Sequence, residues 1–252
     1  MKKRILFASD LDNTLMISHR NRQEGDVCVE WNQGKAQSFM TRRTIELLCG
    51  INKLVDFVPI TTRSLEQYSR IEWPEGCEPK LAVVANGAIL LRRGEFDEDW
   101  SRQIRPVVDI CRGELQTQYA KQSSSKVYIR CRIVDDSYLF LYCDEETDVE
   151  ACADESRRQT WLQVEYQGRK IYFFPPGLDK GTALRQLREY LGSCYVYAAG
   201  DSRIDVPMLK IAGMAFAEIG LHGAVGGNCQ VQHEGTVFSE WMLEKIFDYL
   251  NL

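Results

Sequence analysis

The chain has 252 residues, of which 44% are hydrophobic, and it carries a formal net charge of −5 at pH 7. It is long and apolar enough for one large domain, or for a core with a smaller inserted unit, and this excludes a disordered protein. The acidic balance argues against a protein that binds nucleic acid by neutralising its phosphates, so any anion must be held by a local site.

The N-terminus and the cysteines predict a protein of the reduced cytoplasm. After Lys2, Lys3 and Arg4 the apolar run lasts only about five residues, which is too short for a signal peptide. No run approaches the roughly 20 apolar residues of a membrane span. The nine cysteines contain no Cys-x-x-Cys pair and, with only three histidines, fit no zinc pattern. We therefore expect small buried thiols, no membrane partner and a cytoplasmic location.

The first strand-like run ends in two carboxylates. Residues 5–8 are apolar, and Asp10 and Asp12 follow at a spacing of two. Side chains two apart on a strand point to the same side, and open α/β sheets bind ligands at the carboxyl ends of their strands. Adjacent carboxylates repel each other unless a cation or a shared proton compensates them, so the pair predicts a metal site. A surface turn is the alternative, because Asp and Asn are common in turns.

Strands and helices alternate in the first third of the chain. The polar stretch 19–35 is typical of a loop or of a small hairpin flap that turns at 32–34. Thr41 is a candidate N-cap for a helix with apolar residues at helical spacing. Two buried strands follow, and polar residues come directly after them: Thr61 and Arg63 after 54–60, and Asn86 after 81–85. This alternation predicts a parallel, doubly wound sheet.

The pattern changes between residues 89 and 174. A helix, a hairpin, a second helix and a second hairpin follow one another, at 97–122, 126–143, 148–159 and 161–174. Such an antiparallel α+β unit predicts an inserted domain. In the first hairpin apolar residues alternate with a polar series, which is Lys126, Tyr128, Arg130 and Arg132. The alternation predicts one face packed on the helices and one cationic face, which either contacts a ligand or is only solvated.

The α/β pattern resumes after 175–177. A helix begins near Lys180, a strand at 195–199 leads to Asp201, and Asp205 follows in the next helical turn. A further strand and a C-terminal helix complete the sheet. The predicted architecture is a Rossmann-like α/β core with a doubly wound parallel sheet, formed by 1–88 and 175–252, and an inserted α+β cap at 89–174.

Four groups of polar residues now stand at strand ends or helix starts in a fixed order: Asp10 with Asp12, Thr61, Lys180, and Asp201 with Asp205. This set resembles the haloacid dehalogenase superfamily, and in particular its Cof-type branch, with relatives such as sucrose-phosphate phosphatase and phosphomannomutase. There a cap is inserted between the second and third motifs. The resemblance spans nearly the whole chain and includes the segments 86–88, 179–184 and 200–202.

The resemblance implies a Mg²⁺-dependent phosphatase. Asp10 then corresponds to the nucleophile that forms an aspartyl-phosphate, and Asp12 to the general acid and base. Thr61 corresponds to a phosphate hydrogen-bond donor, and Lys180 to the cation that steadies the transferring group. The implied Mg²⁺ ligands are the carboxylates of Asp10 and Asp201 and the backbone carbonyl of Asp12, with Asp205 in a supporting position.

Each of these residues also has a plain structural alternative. Lys180 could be a solvated surface lysine, Thr61 could simply end a strand, Asp201 could cap a helix and Asp205 could be a first-turn acid. Arg63 could support its loop or contact phosphate. The order and spacing of the whole set favour the catalytic interpretation.

The sequence departs from the family pattern at three positions. Asn13 and Thr62 stand where glycine is usual, and Ile204 replaces the asparagine that commonly precedes the last aspartate. The loss of that amide puts the support of the metal or phosphate site in question.

The expected function is hydrolysis of a small phosphate monoester, with a sugar or polyol phosphate favoured and the cap supplying specificity. The candidate substrate contacts are Thr61, Arg63, Asn86, Lys126, Tyr128, Arg130 and Arg132. A sugar phosphomutase and a catalytically silent regulatory protein are the alternatives. A mutase returns the phosphoryl group to the sugar, so product analysis separates it from a phosphatase.

Overall fold

The computed structural model describes residues 4–192 and 194–250. The strands are β1 (Arg4–Ser9), β2 (Ile17–Ser18), β3 (Val27–Asn32), β4 (Lys35–Met40), β5 (Asp56–Pro59), β6 (Leu81–Val84), β7 (Ile89–Arg92), β8 (Glu95–Phe96), β9 (Tyr128–Val134), β10 (Tyr138–Cys143), β11 (Gln163–Gln167), β12 (Lys170–Phe174), β13 (Cys194–Gly200), β14 (Met214–Ala217) and β15 (Cys229–Val231). The helices are α1 (Arg42–Asn52), α2 (Leu65–Ser69), α3 (Glu98–Ser123), α4 (Val149–Arg157), α5 (Lys180–Leu191), α6 (Val206–Lys210) and α7 (Phe238–Leu250). None of these helices is both long and apolar enough to cross a membrane.

A parallel sheet in the order β15-β14-β13-β1-β5 forms the centre of the core. β6 lies beside β5 and joins it through a parallel bridge between Ile60 and Val83. In β1 and β13, Ser9 and Ala199 are in register. The chain therefore leaves these two strands at the same edge of the sheet, and the predicted parallel sheet is confirmed.

Helices cover both faces of this sheet. α1 and α7 pack on one face, where Phe7, Phe57 and Leu243 belong to one buried cluster. α5, α6 and the first turns of α3 pack on the other face, with Leu6 and Leu184 in a second cluster. Neighbouring residues of β1 thus enter opposite clusters, because a strand covered on both sides buries side chains on both sides.

An antiparallel sheet in the order β11-β12-β10-β9 forms the centre of the cap. α3 and α4 pack on one of its faces, where Leu139, Leu141, Ile171 and Phe173 form a buried cluster with Leu115. The predicted succession of helix, hairpin, helix and hairpin is confirmed.

The junction between core and cap differs in detail from the predicted boundary at residue 89. β7 pairs with β6 and β8 pairs with β7, which gives a three-stranded antiparallel sheet beside the core. At the start of α3, the indole N–H of Trp100 donates to the carbonyl of Gly87, at 2.9 Å. The division at 89 and 174 stays a prediction, and these contacts favour a cap that begins within α3.

The polar stretch after the first motif forms a flap, which consists of β2, β3 and β4 in one antiparallel sheet. Gln33 and Gly34 connect β3 to β4 with φ angles of 50° and 73°, the left-handed pair that a tight hairpin turn needs. Thr41 then caps α1, since its side chain accepts a hydrogen bond from the backbone N–H of Thr44 at 3.0 Å. The predicted hairpin and N-cap are both confirmed.

Candidate active site

The loops after β1 and β13 bring two predicted metal ligands together. The backbone N–H of Asp10 donates to the carbonyl of Ala199 at 3.0 Å, which continues the pairing of the two strands by one residue. Carboxylate oxygens of Asp10, Asp201 and Asp205 all lie within 4.8 Å of one another. The acidic residues that the sequence places after two separate strands therefore form one cluster.

Lys180 enters this cluster from the first residue of α5. Asp179 caps the helix by accepting a hydrogen bond from the N–H of Thr182 at 2.9 Å, which fixes the direction of the first turn. The Lys180 ammonium lies 2.5 Å from Oδ1 of Asp10 and 2.5 Å from Oδ1 of Asp205. Lys180 is only 1% exposed, so it is not a solvated surface lysine.

Two glycines allow the elements of the cluster to approach closely. A Cβ atom at Gly181 would lie 2.6 Å from the carbonyl oxygen of Pro207, and a Cβ at Gly200 would lie 2.4 Å from Cβ of Asp205. Real side chains do not come this close. The absence of a side chain at these positions lets α5 and the turn after β13 meet at the cluster.

Asp205 has a supporting position. Its Oδ2 accepts hydrogen bonds from the backbone N–H groups of Asp201, at 3.2 Å, and Ser202, at 2.9 Å, and from the Ser202 hydroxyl at 2.9 Å. Its Oδ1 pairs with Lys180. Because both oxygens are engaged, Asp205 orients the loop of Asp201 and balances the charge of Lys180, and its supporting role toward a metal stays a prediction.

Asp201 receives side-chain donors from the core and from the cap. Thr14 donates from its hydroxyl at 3.3 Å and Asn13 from its amide at 3.5 Å, while Gln167 of the cap donates at 2.8 Å. Asn13 has a φ of 60°, a conformation that asparagine adopts more readily than most residues. Ile204 is buried in the core cluster. Gln167 thus supplies a side-chain amide to Asp201, whereas Ile204 has none to offer.

The charges of the cluster fit a divalent cation. Burial raises the pKa of Asp10 to about 6, with Lys180 opposing the rise and Asp205 adding to it. Burial, Asp205 and Asp10 raise the pKa of Asp201 to about 9. With its three carboxylates ionised and Lys180 protonated, the cluster has a net charge of −2. Carboxylate oxygens suit a hard ion such as Mg²⁺, so these residues could hold one.

Asp12 does not join this cluster through its carboxylate. Arg63 binds it in a two-pronged ion pair, with Nε 3.1 Å from Oδ2 and Nη2 2.6 Å from Oδ1. Although burial raises the pKa of Asp12, Arg63 more than offsets this and holds the pKa well below its usual range. The ion pair therefore favours the ionised form of Asp12. A general base needs this form, whereas a general acid must first be protonated.

A buried glutamate of the flap holds Arg63 in place. Oε2 of Glu30 accepts from Nη1 of Arg63 at 2.9 Å and from the Ser38 hydroxyl at 2.6 Å. Oε1 of Glu30 pairs with Arg70 at 3.0 Å. Arg63 therefore supports the loop and Asp12, which is the first of the two roles that the sequence left open.

Thr61 lies at the end of β5 and is fully buried. Its N–H donates to the carbonyl of Val83 at 2.9 Å, and its Oγ1 accepts from the N–H of Arg63 at 3.2 Å. The hydroxyl proton stays available for a further acceptor, so the predicted contact with phosphate stays a prediction.

Asn86 has a positioning role instead of the predicted substrate contact. It is 1% exposed, and its side-chain amide donates to the carbonyl of Leu178 at 2.9 Å. Its backbone has a φ of 57°, and its Oδ1 is buried without a hydrogen-bond partner among the described residues. Asn86 thus ties the turn after β6 to the loop that leads into Lys180.

A small cavity lies between the cap and the core. Its volume is about 40 Å³, and its walls are Asp12, Thr62, Arg63 and Gln67 of the core with Arg132, Tyr138, Phe140, Lys170 and Tyr172 of the cap. The Tyr138 hydroxyl donates to the carbonyl of Thr62 at 2.5 Å, and Arg132 donates to Gln67 at 3.1 Å. Ligand pockets usually measure about 300 Å³ or more, so this cavity is smaller than a typical ligand pocket.

The prediction that Tyr128 lies on the cationic face of the first hairpin is wrong. The pairing of β9 with β10 shifts between Tyr142 and Cys143, and this bulge reverses the alternation of side chains. Tyr128 consequently packs against the cap cluster, whereas Ile129 is 63% exposed. Of the four predicted residues, the cavity is lined by Arg132 alone; Lys126 and Arg130 are exposed and lie outside it.

Three residues of the site were missed by the sequence analysis: Glu30, Gln167 and Lys170. Lys170 and Tyr172 share one face of β12, so the alternation in the second hairpin gave a signal that could have found Lys170. Gln167 lies in the β11–β12 hairpin, where a polar residue has no distinguishing pattern. Glu30 lies in a flap of mixed composition, and its burial depends on partners far away in the chain.

Comparisons with known proteins agree with this geometry. Residues 109–217 match a family described as haloacid dehalogenase-like hydrolase. A sucrose-phosphatase from Synechocystis, in complex with sucrose and phosphate, has 13% identity and a TM-score of 0.65, covering 98% of this chain and 99% of that one. A putative HAD/COF-like hydrolase from Plasmodium vivax has 16% identity and a TM-score of 0.66, covering 98% and 97%. No curated protein matches the sequence.

A haloacid dehalogenase-like hydrolase from B. subtilis, with 15% identity and a TM-score of 0.61, covers 96% of this chain and 98% of its own. At these identities the structures establish the fold, and the family match is a similarity over residues 109–217. The chain thus shares its fold with these hydrolases over nearly its whole length, and its family match extends over residues 109–217.

Proposed function

We propose that the protein is a Mg²⁺-dependent phosphatase that hydrolyses a small phosphate monoester, with a sugar or polyol phosphate favoured, through an aspartyl-phosphate on Asp10. The observation that carries this proposal is the buried cluster of Asp10, Asp201 and Asp205 around Lys180. Lys180 binds Oδ1 of Asp10, while Oδ2 has no hydrogen bond among the described residues. That oxygen is available to attack phosphorus.

The residues of the chain divide the chemistry between them. Oδ2 of Asp10 forms a bond to phosphorus as the bond to the leaving oxygen breaks. Lys180 offsets the negative charge of the nucleophile and of the transferring group. Asp12, once protonated, gives its proton to the leaving oxygen. Its carboxylate then takes a proton from the water that attacks phosphorus as the bond to Oδ2 of Asp10 breaks. When bound by Asp10, Asp201 and the Asp12 carbonyl, Mg²⁺ would supply charge neutralisation for the phosphate.

The comparisons support a phosphatase in particular. The sucrose-phosphatase from Synechocystis shares the fold over almost its whole length. A trehalose-6-phosphate phosphatase related protein also shares it, with a TM-score of 0.56. The first name is that of a sugar-phosphate phosphatase and the second that of a protein related to one, which supports the preference for a sugar phosphate.

Release of inorganic phosphate from a panel of metabolites, measured with and without Mg²⁺, tests the proposal. We expect Mg²⁺-stimulated release from at least one small monoester. An isomerised hexose phosphate without free phosphate would instead identify a mutase. No release from any compound of a broad panel, by protein that is folded and binds Mg²⁺, would leave only a regulatory role.

Lys170 and Arg132 are proposed to contact the leaving group, because both line the cavity opposite Asp12. Replacing either with methionine should raise KM for the best substrate by roughly 10-fold or more, since a charge-assisted hydrogen bond contributes about 1.5–3 kcal/mol. KM for p-nitrophenyl phosphate, which lacks the sugar, should change much less. Arg130→Met is the matched control, because Arg130 lies on the same strand and is exposed. Equal effects on both substrates would contradict this assignment.

Mg²⁺ affinity should rise with pH. The pKa of Asp201 is raised from 3.8 to about 9 in the metal-free fold, so the folded state holds a proton that Mg²⁺ must displace. Because of the same shift, Asp201 contributes fully to the stability of the metal-free fold below about pH 4, and this contribution is lost as the pH rises toward 9. Titration calorimetry should show affinity rising by up to about 10-fold per pH unit between pH 6 and 8, with proton release. A Mg²⁺ affinity that does not change with pH would contradict this prediction. In Asp201→Asn the affinity should no longer depend on pH.

A further inference from the structure

Two cysteines from separate elements, neither of them in the catalytic cluster, lie against each other. The sulfur atoms of Cys49, on α1, and Cys77, before β6, are 2.7 Å apart. This is well inside the roughly 3.5–4.0 Å at which even two carbon atoms make van der Waals contact. All nine cysteines are free thiols, so the two sulfurs are close without being bonded.

The surrounding hydrogen bonds hold this geometry. Asn52, one turn after Cys49, donates from its side-chain amide to the carbonyls of Gly76, at 3.0 Å, and Glu78, at 3.1 Å. The Cys77 N–H donates to the carbonyl of Pro74 at 2.9 Å. α1 and the segment 74–78 are therefore fastened together on both sides of Cys77, and little movement is needed to join the sulfurs.

We propose that Cys49 and Cys77 form a reversible disulfide when the protein meets a peroxide. The inference rests on the geometry of the thiol pair and on no step of the proposed phosphatase reaction. It adds an oxidation site to a chain whose other features indicate a reduced compartment, where disulfides are usually transient or redox-sensing.

The accessibility of the two thiols sets the order of the steps. Cys77 is fully buried, whereas Cys49 is partly exposed. The Cys49 thiolate attacks one peroxide oxygen, so that the O–O bond breaks, hydroxide leaves and Cys49 becomes a sulfenic acid. Sulfur of Cys77 then attacks sulfur of Cys49, the S–O bond breaks, and the hydroxyl leaves as water with the proton of Cys77. Two thiols are oxidised, and one peroxide is reduced to two waters.

Burial raises the pKa of Cys77, and its hydrogen bond with Cys49 adds to the rise. Because the thiolate is the reactive form, this disfavours attack by Cys77 until Cys49 has been oxidised beside it. The pair is thus expected to stay reduced without a peroxide.

The disulfide would stabilise the part of the core that carries the flap. The segment before Cys77 is paired with β3, through a bridge between Ile71 and Glu30 and a hydrogen bond from Glu72 to Val29 at 2.8 Å. A covalent link to α1 fixes this segment from its other side. Closing the loop between Cys49 and Cys77 should raise the midpoint of thermal unfolding by roughly 5–10 °C.

Peptide mapping of the folded full-length protein tests the proposal. After incubation with hydrogen peroxide and alkylation of free thiols, we expect one linked peptide pair with Cys49 and Cys77, lighter by two hydrogens and separated by dithiothreitol. The rise in the unfolding midpoint should also be reversed by dithiothreitol. Recovery of both residues as alkylated thiols, or of Cys49 only as a sulfinic acid, at doses that oxidise other cysteines would overturn the proposal.

Variants separate this pair from the other thiols. Cys49→Ser should abolish the peroxide-induced rise in the midpoint without unfolding the protein, since Cys49 is partly exposed. Cys77→Ala should also abolish this rise if the variant folds. If it does not fold, the peptide map of the wild-type protein decides the question. Cys229→Ser, at a partly buried thiol on β15, is the matched control and should keep the full rise. A rise that persists in Cys49→Ser would place the disulfide elsewhere.

Discussion

Asp10→Asn should lower the turnover of phosphate monoesters by roughly 10⁴-fold or more, because the amide oxygen is a far weaker nucleophile than a carboxylate and loss of a nucleophile in other enzymes costs about 10⁶ in kcat. The fold should survive. The substitution keeps the shape of a side chain that is 6% exposed, and it removes one of three mutually repelling carboxylates.

Stability separates loss of chemistry from loss of structure in this variant. Burial raises the pKa of Asp10 to about 6, so above that pH the wild-type fold bears the cost of an ionised Asp10 that asparagine avoids. Urea unfolding in EDTA at pH 7.5 should show Asp10→Asn at least as stable as the wild type. The exposed Asp109→Asn serves as the control for both activity and stability. More than a tenth of wild-type turnover in Asp10→Asn would rule out the proposed nucleophile.

Much of the candidate site could be predicted from the sequence, because its acidic residues come directly after apolar, strand-like runs. Asp10 and Asp201 each follow a run of apolar residues, and two parallel strands in register must deliver such residues to the same edge. The sequence does not show which strands are neighbours. In the structure, β1 and β13 pair directly. Lys180 was assigned through the family order, because an isolated lysine at a helix start is more often solvated than buried.

The errors come from features that depend on contacts between distant residues. Because of the bulge at Tyr142 and Cys143, the side chain of Tyr128 packs against the cap cluster. The alternation of polar and apolar residues in a sequence does not reveal where strand pairing shifts by one residue. Glu30 is buried because Arg63 and Arg70 surround it. A glutamate in a hairpin would otherwise be expected in water, so its role became visible only when the flap and α2 were placed together.

The flap lies between Asp12 and Thr61 in the chain and contacts the site directly. Its Glu30 accepts a hydrogen bond from Arg63, the arginine that binds Asp12. The flap is therefore connected to the proposed proton-transfer residue by two consecutive ion pairs. Trp31, the next residue, is 45% exposed.

Lys180→Met should lower the free energy of unfolding by about 3–5 kcal/mol at neutral pH, which is the usual cost of removing one partner from a buried ion pair. Methionine fills a similar volume, so the loss would be electrostatic. The Lys180 ammonium lies 2.5 Å from both Asp10 and Asp205, and without it the carboxylates repel each other. The folded-state pKa of Asp10, which burial raises to about 6, rises further without Lys180, so the deficit should be small at pH 5 and grow toward pH 8.

Urea unfolding in EDTA at pH 5 and pH 8 measures this dependence, with the exposed Lys245→Met as a control expected to change stability by less than about 0.5 kcal/mol. Adding Asp205→Asn to Lys180→Met should recover at least half of the deficit at pH 8. The asparagine oxygen can still accept the three hydrogen bonds of the Asp201 loop, while its amide replaces the oxygen that faced the ammonium. A deficit that is independent of pH and unchanged in the double variant would mean that Lys180 stabilises the fold by packing, and the charge balance proposed for the cluster would be wrong.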